Sequence, residues 1–240
     1  KLTNKALNEK TKILKRKNKE LDAFTAAISH DLRAPARNIN TFIGLLKHRL
    51  DIANQDKEIQ EFFHFVEDGS KKMGRMISEL LEMAKMENLN ANIQLINTDE
   101  LVWKIVDAIY ITKPNCRVKF SVKPLPNIIG DLVLVEQVFY NIIENAVKYS
   151  NTKPEPFVEV SAVEEDGKIV FAIQDNGIGF DMIYAERLFD MFVRLDTESK
   201  FEGTGIGLAN VKKIVKRHNG EVWVLSEKDV GTTFYFSIPC

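Results

Sequence analysis

The 240-residue sequence is poor in several features that announce common protein classes. It has two cysteines, Cys116 and Cys240, far apart in the chain. They make neither a disulfide framework nor a zinc pattern, and they fit a reducing, cytoplasmic setting. No apolar run approaches the ~20 residues needed to span a bilayer, and no signal peptide is visible. Excess charge of either sign is missing too, since 33 basic residues face 34 acidic ones. The net charge of −1 gives no global argument for nucleic acid or an anionic membrane surface. The chain opens on Lys1 rather than methionine, as expected of a fragment with an upstream part. What is present is apolar material for a real core, 45% of residues, beside an ordinary 28% of charged ones. The length allows two ordinary domains or one large one.

The first stretch is lysine-rich, with Leu7, Leu14 and Leu21 seven apart. That is half a heptad seam, because the other core positions fall on polar residues. A solvated helical linker fits residues 1–22, and so does a two-stranded coil; the leucine phase continues past residue 22, which favours the coil. At about 100° per residue, Leu14, Leu21, Phe24, Ile28, Leu32, Pro35, Ile39, Phe42, Ile43, Leu46 and Leu50 share one stripe, predicting one long helix. His30 lies on the opposite side, near Arg33 and Arg37, so it is no packed core histidine. Pro35 removes a backbone donor and predicts a bend just beyond His30. After the polar break "DIANQDKE", Phe62, Phe65, Val66, Met73, Met76, Ile77, Leu80, Leu81 and Ala84 mark a second helix. A helical hairpin over residues 23–90 cannot hide both apolar faces alone. Pairing two hairpins into a four-helix bundle solves this and predicts a homodimer.

Beyond residue 90 the pattern changes to short alternating runs: "IQLIN", "CRVKFSV", "FVEVSAV", "KIVFAIQ", "EVWVLSE" and "GTTFYFSI". Helical stretches at about Asp99–Tyr110, Leu132–Ser150 and Gly207–His218 separate them, and "EEDG" reads as a hairpin turn. The expectation for residues 91–240 is an α/β sandwich, one sheet covered by helices.

Three stretches of this second half carry chemistry. In "VEQVFYNIIENAVKYS", Asn141, Asn145 and Lys148 stand at spacings of four and three, along one helix edge. Two carboxamides suit a phosphate-bound Mg²⁺, and an ammonium meets phosphate oxygens. "IQDNGIGF" ends a strand in Asp175, followed by Gly177 and Gly179. The glycines let backbone approach a ligand, and an ionised Asp accepts from an exocyclic amino group such as that of adenine. In "FEGTGIGLANVKKIVKRHNG", Gly203, Gly205 and Gly207 lead into a helix amino terminus, which favours bound phosphate. The stretch between, with Phe189 and Phe192, reads as a lid over a nucleotide. Alone, the helix edge is better explained by an ordinary amphipathic helix, the strand end fits a plain turn equally well, and a lone glycine trio is a weak signal.

In this order the pieces closely resemble a two-component sensor histidine kinase. "SHDLRAP" resembles the phosphoacceptor box, "NIIENAVKYS" the N box, "DNGIGF" the first glycine box, "FDMFVRL" the F box and "GTGIGL" the second glycine box. "SHDLRAP" is similar in wording to kinase modules of the phytochrome and PAS-associated type. The resemblance implies a HisKA dimerisation and phosphotransfer domain, then an ATP-binding HATPase_c domain of the GHKL (Bergerat) fold shared with gyrase, Hsp90 and MutL. It implies that His30 takes the γ-phosphoryl group of ATP and passes it to an aspartate of a response-regulator receiver domain. Asn141 and Asn145 would hold Mg²⁺, Lys148 and Tyr149 the phosphates, and Asp175 the adenine amine. Gly177, Gly179, Phe192, Gly203, Thr204, Gly205, Gly207 and Leu208 would complete the nucleotide site.

The chemistry of the residues agrees. A neutral imidazole keeps a nitrogen lone pair near pH 7 and attacks phosphorus without prior deprotonation. Asp31 beside it is the general base for the other ring proton. Ala34 stands where kinases with phosphatase activity commonly carry Thr or Asn, which predicts weak or absent receiver phosphatase activity. Asn141 occupies the place of the ATPase cousins' glutamate base, and Glu144, three residues on, faces elsewhere. A nucleotide-binding scaffold, a gyrase-like clamp and an anti-sigma-type serine kinase are the rivals, each weakened by the histidine-bearing hairpin or by Asn141.

Overall fold

The structure is a computed structural model that describes Leu32 and residues 35–50, 56–86, 92–195 and 203–240. The chain divides into two compact units, Lys1–Leu89 and Asn90–Cys240. The leucine seam of residues 1–22, His30, Asp31, Ala34 and the expected bend before Pro35 lie outside the described residues.

The first unit holds helix α1 (residues 35–49) and helix α2 (Lys57–Met86). Ala36 is buried in one cluster with Ile77 and Leu81, joining the start of α1 to the later turns of α2. At the other end of α1, Lys47 reaches Glu67 of α2 at 2.9 Å, and Lys71 reaches the second oxygen of the same carboxylate at 2.9 Å. Hydrogen bonds from the two ammonium groups hold the Glu67 carboxyl down at about 2. Little else is enclosed: Leu32, Ile39, Phe42, Leu46, Phe62, Phe65 and Val66 all stand exposed.

The second unit contains β1 (Ile93–Ile96), α3 (Thr98–Thr112), β2 (Lys119–Val122), β3 (Ile128–Asp131), α4 (Leu132–Ser150), β4 (Phe157–Glu165), β5 (Lys168–Asp175), α5 (Gly207–Arg217), β6 (Val222–Glu227) and β7 (Gly231–Pro239). A short 3₁₀ helix covers Met182–Arg187. The main sheet runs β2-β4-β5-β7-β6, with β2 parallel to β4 and the other pairs antiparallel. The expectation of one sheet needs correcting, because β1 and β3 form a separate antiparallel ribbon. Strand β3 is four residues long and comes after the proline-containing "KPLPN", so local pattern reads it as loop. It becomes a strand by pairing with β1, about 35 residues earlier. The turn at "EEDG" is present: Asp166 and Gly167, with φ of 51° and 71°, connect β4 and β5 in the geometry that matches strand twist.

One sheet face is covered by helices and its side chains alternate accordingly. Ile169, Phe171, Ile173 and Asp175 of β5 are buried, while Gln174 between them is exposed. Phe139 of α4 meets Phe171 and Phe236 edge-on at 5.2 and 5.1 Å, and those two rings stack at 4.9 Å. Aromatic pairs at these separations add about 0.5–1.5 kcal/mol each beyond area burial. This triad seats α4 on β5 and β7. Among the described residues, no helix is long and apolar enough to cross a membrane.

Candidate functional site

Helix α4 is fixed at its start as well as along its face. Asp131 caps it, accepting from Val133 N at 3.1 Å and Leu134 N at 3.2 Å. The Asp131 N–H itself donates to Nε2 of His218, just past α5, at 3.1 Å. The opposite ring nitrogen of His218 lies 2.9 Å from the Ile214 carbonyl, which makes Nδ1 the protonated one. Helices α4 and α5 are thus tied together at one end.

With the apolar face of α4 committed to the sheet, its half-buried polar edge meets the glycine-rich segments. Asn141 Nδ2 donates to the Gln137 carbonyl at 2.8 Å, which turns its Oδ1 the other way. A Cβ added at Gly207 would fall 2.8 Å from that oxygen, so the start of α5 approaches Asn141 closely. Asn145 is one turn further along α4. Lys148 Nζ donates to Tyr149 Oη at 3.1 Å, stands 4.5 Å from the Tyr149 ring centre, and would meet a Cβ at Gly203 at 3.3 Å. Helix α5 begins without a side-chain cap or an acidic residue in its first turn. Its first N–H groups, at Gly207 and Leu208, therefore present the positive end of the helix to this edge.

Asp175 closes the other side. It is 4% exposed, and burial pushes its carboxyl up from the ordinary 3.8 to about 6, against the opposing pull of the Gly177 and Thr232 N–H groups. Gly177 N donates to Asp175 Oδ1 at 2.8 Å. A Cβ at Gly177 would lie 2.8 Å from the backbone of Tyr149, so only glycine lets this turn touch the end of α4. Gly179, with φ of 56°, packs against the Glu227 carbonyl at the β6–β7 turn. A cavity of about 330 Å³ opens at the same strand ends, lined by Asp175 and Thr232 together with Gln174, Asn176, Leu225 and Thr233 among others. Strand alternation puts Gln174, Leu225 and Thr233 on the sheet face away from α4, and no residue of the α4 polar edge lines the cavity. The hollow therefore touches the site only on its Asp175 side, and the α4 edge lies outside it.

Residues 196–202 lie outside the described structure, but the segments flanking them are drawn together. Phe192 N donates to the Gly205 carbonyl at 2.9 Å, and Arg194 Nη1 to the Gly203 carbonyl at 3.3 Å. Gly205 has φ of 78°, and a side chain there would strike the Phe192 backbone at 2.9 Å. Phe192 itself adopts φ of 64°, a costly conformation for a bulky residue, and its ring is half exposed. Thr204 is buried and Leu208 half-buried.

The structure therefore brings Asn141, Asn145, Lys148, Tyr149, Asp175, Gly177, Gly203, Gly205 and Gly207 to one region, with Gly179 and Phe192 at its margins. Sequence reasoning missed Thr232, the cross-strand partner of Asp175. The signal was a "GTT" run opening a strand, indistinguishable from ordinary strand threonines. No group of three or more His, Cys, Asp or Glu suited to a metal occurs among the described residues. A divalent ion held jointly with phosphate fits better, because Asn141 Oδ1 is a neutral oxygen donor already oriented by its own amide.

Residues 130–240 match the family model described as histidine kinase-, DNA gyrase B- and HSP90-like ATPase, and residues 20–89 match the His Kinase A phospho-acceptor domain. The chain belongs to the sensor histidine kinases. Among curated relatives, the phytochrome-like protein Cph1 of Synechocystis sp. is 34% identical over 94% of this chain and 30% of its own length. The sensor protein kinase WalK of Staphylococcus epidermidis is 31% identical, over 92% of this chain and 37% of its own. This kinase chain thus spans about a third of the length of such relatives. In fold it is similar to full-length ShkA, solved in complex with AMPPNP. The TM-score is 0.66 at 22% identity, covering 90% of this chain and 45% of that one.

Proposed function

We propose that the chain is the kinase core of a two-component system, a protein-histidine kinase that uses Mg-ATP to phosphorylate His30 and then passes the phosphoryl group to a receiver aspartate. The observation that carries this is the approach of the uncapped start of α5 to Asn141 and of Gly203 to Lys148, on the helix whose end at Tyr149 is met by the Asp175–Gly177 turn. An acceptor for a base, a cation for phosphate, a carboxamide oxygen and a helix dipole along and beside one helix support a nucleotide site. Asn141 and Asn145 would hold Mg²⁺, which supplies charge neutralisation on the phosphates. Lys148, steadied by Tyr149, meets phosphate oxygens; Asp175 receives the adenine amine; Gly177, Gly179, Gly203, Thr204, Gly205, Gly207, Leu208 and Phe192 shape the rest.

In the transfer step a ring nitrogen of His30 attacks the γ-phosphorus. A P–N bond forms, the bond to the β–γ bridging oxygen breaks, ADP leaves, and Asp31 accepts the proton of the other ring nitrogen. Both acids of α4 are engaged: Glu144 is held by Lys113 at 2.9 Å and Glu136 by Lys104 at 3.1 Å. That engagement weighs against a water-activating clamp ATPase.

The parts are arranged along the chain as a coiled-coil linker over residues 1–22, a dimerisation and phosphotransfer domain over 23–90, and a catalytic domain over 91–240. The unclosed hairpin supports a homodimer. A groove of about 910 Å³ in the hairpin unit, lined by Arg37, Asn40, Arg75 and Glu79 among others, offers a polar place for a receiver to dock. Cytoplasmic placement and little receiver phosphatase activity, from Ala34, complete the reading.

Incubation with γ-labelled ATP tests it. His30→Gln is expected to abolish acid-labile, alkali-stable label while leaving ATP affinity nearly intact. Label that persists in that variant refutes the acceptor assignment.

A further inference from the structure

The main sheet ends in two edge strands, β2 and β6, and they are finished differently. An open edge offers unpaired backbone groups to any strand that arrives, and charged side chains or prolines normally blunt it. The β2 edge is blunted in this way, with Arg117 and Lys119 at its start and Lys123 and Pro124 just past its end. Strand β6, "VWVLSE", has neither proline nor lysine, and it pairs with β7 without a break in register. Ser237 N donates to the Glu221 carbonyl at 2.8 Å, and antiparallel bonding alternates. Odd-numbered residues of β6 therefore bond to β7, while Val222, Val224 and Ser226 point their backbone groups outward. Ser226 N meets Met182 Sδ of the 3₁₀ helix at 3.3 Å, which closes that end. Among the described residues, no backbone hydrogen bond outside the ladder involves Val222 or Val224.

The side chains along this edge form a line. Glu221, Trp223, Leu225 and Glu227 are exposed at every second position, so they share the sheet face away from α4. Glu221 meets Lys168 of β5 at 3.4 Å. Trp223 is stacked on Tyr235 of β7, with ring centres 5.3 Å apart and planes 5° from parallel. One face of the indole is thereby held against the neighbouring strand, and the other is turned to the vacant strand position.

We propose that β6 is a docking edge for a short extended peptide segment of a partner protein, apolar at alternate residues and basic at both ends. Main-chain bonds to Val222 and Val224 give affinity, and the exposed line gives selectivity. Apolar side chains of the added strand fall beside Trp223 and Leu225, about 4.5–5.5 Å away. Lysine or arginine stems at its ends reach Glu221 and Glu227. These two carboxylates decide between occupants. A second copy of this chain would bring two more charges of the same sign to the edge, whereas a basic-ended segment complements both. The 3₁₀ helix at Ser226 limits the pairing to the first part of β6, which suits a short segment rather than a second sheet.

The chain has two tryptophans, so Trp103→Phe leaves Trp223 as the sole indole reporter. Titrating the whole chain carrying that change with the peptide KTVTVTK is expected to give a saturable change in emission. The peptide ETVTVTE is expected to bind about tenfold more weakly. Adding Glu221→Lys and Glu227→Lys should reverse the order of the two peptides. Val222→Pro removes one outward N–H at the first strand position, where proline is tolerated, and should weaken KTVTVTK about fivefold or more. Emission that neither peptide changes, or two peptides that bind alike, overturns the proposal. So does self-association in sedimentation that Val222→Pro abolishes, because a second copy then occupies the edge. If Val222→Pro fails to fold, the charge exchange, confined to exposed side chains, carries the test, and a preference that does not reverse has the same force.

Discussion

The two units handle apolar surface in opposite ways. In the α/β unit Phe139, Phe171 and Phe236 are wholly buried and in mutual contact, so the core is closed within one chain. In the hairpin unit Phe42, Phe62 and Phe65 remain 64%, 63% and 82% exposed, beside Ile39, Leu46 and Val66. Scattered exposed apolar residues need no explanation, but a stripe at spacings of three, four and seven on two adjacent helices does. One unit is a finished fold that presents polar groups to a ligand. The other is half of a core. The difference matches the two tasks proposed for them: holding a nucleotide needs a rigid scaffold, and carrying an exposed acceptor needs a stem that completes itself by pairing.

The strongest way to break this contrast is to make the stripe polar. Fully burying a Phe contributes about 1.5–3 kcal/mol, and a symmetric pair carrying Phe42→Glu and Phe62→Glu loses four such rings. The association constant is expected to fall by roughly four or more powers of ten. Sedimentation should report monomers, while ATP binding and the thermal transition of the α/β unit stay as they were. If the double variant remains dimeric, the exposed stripe is not the association surface. If nucleotide binding collapses with it, the α/β unit is less self-sufficient than its core indicates.

Asp175 sharpens the other half of the comparison, because it is where the finished fold carries an internal cost. Its carboxyl is raised from 3.8 to about 6 by burial. The native state then holds the proton more tightly than the unfolded chain does. Stability of the empty unit therefore falls as pH rises from about 3.8 to about 6 and stays lowered above, by on the order of 2–3 kcal/mol. Asp175→Asn is expected to raise the melting midpoint of the α/β unit at pH 7.5, with the gain shrinking as pH is taken towards 4. ATP affinity should meanwhile drop about 10- to 100-fold through loss of a charge-assisted hydrogen bond. In the unaltered chain, affinity should decline as pH falls below about 6, because the acceptor must first lose its proton. A pH-independent affinity across that range removes Asp175 from the base-binding role.

How much of this was legible in the sequence depended on how local each determinant was. Helix α4 reads directly, since its apolar face and the capping Asp131 adjoin in the chain, and its observed bounds are Leu132–Ser150. The start of α5 at Gly207 is likewise marked by the glycines before it. The β1–β3 ribbon was not legible, because four residues after two prolines become a strand only through a partner far upstream. The same holds within the site. Asp175 and the glycines announce themselves by type and spacing. Thr232 does not, because its place beside Asp175 comes from a cross-strand pairing that no single segment contains.

The smallest effect tests the hairpin from inside. Ser70 of α2 is 4% exposed, and its Oγ has no hydrogen-bond partner among the described residues. A buried hydroxyl left unpaired costs about 1–3 kcal/mol, and alanine is the better helix former by roughly half a kcal/mol. Ser70→Ala is therefore expected to stabilise the hairpin unit by about 1 kcal/mol, allowing for the small void it leaves. The measurement is the denaturant midpoint of the dimer at fixed chain concentration, since association and folding are linked there. A destabilised variant would mean that this hydroxyl finds its partner in the paired stem. Ser70 would then belong to the shared core with Phe42 and Phe62, not to the single hairpin.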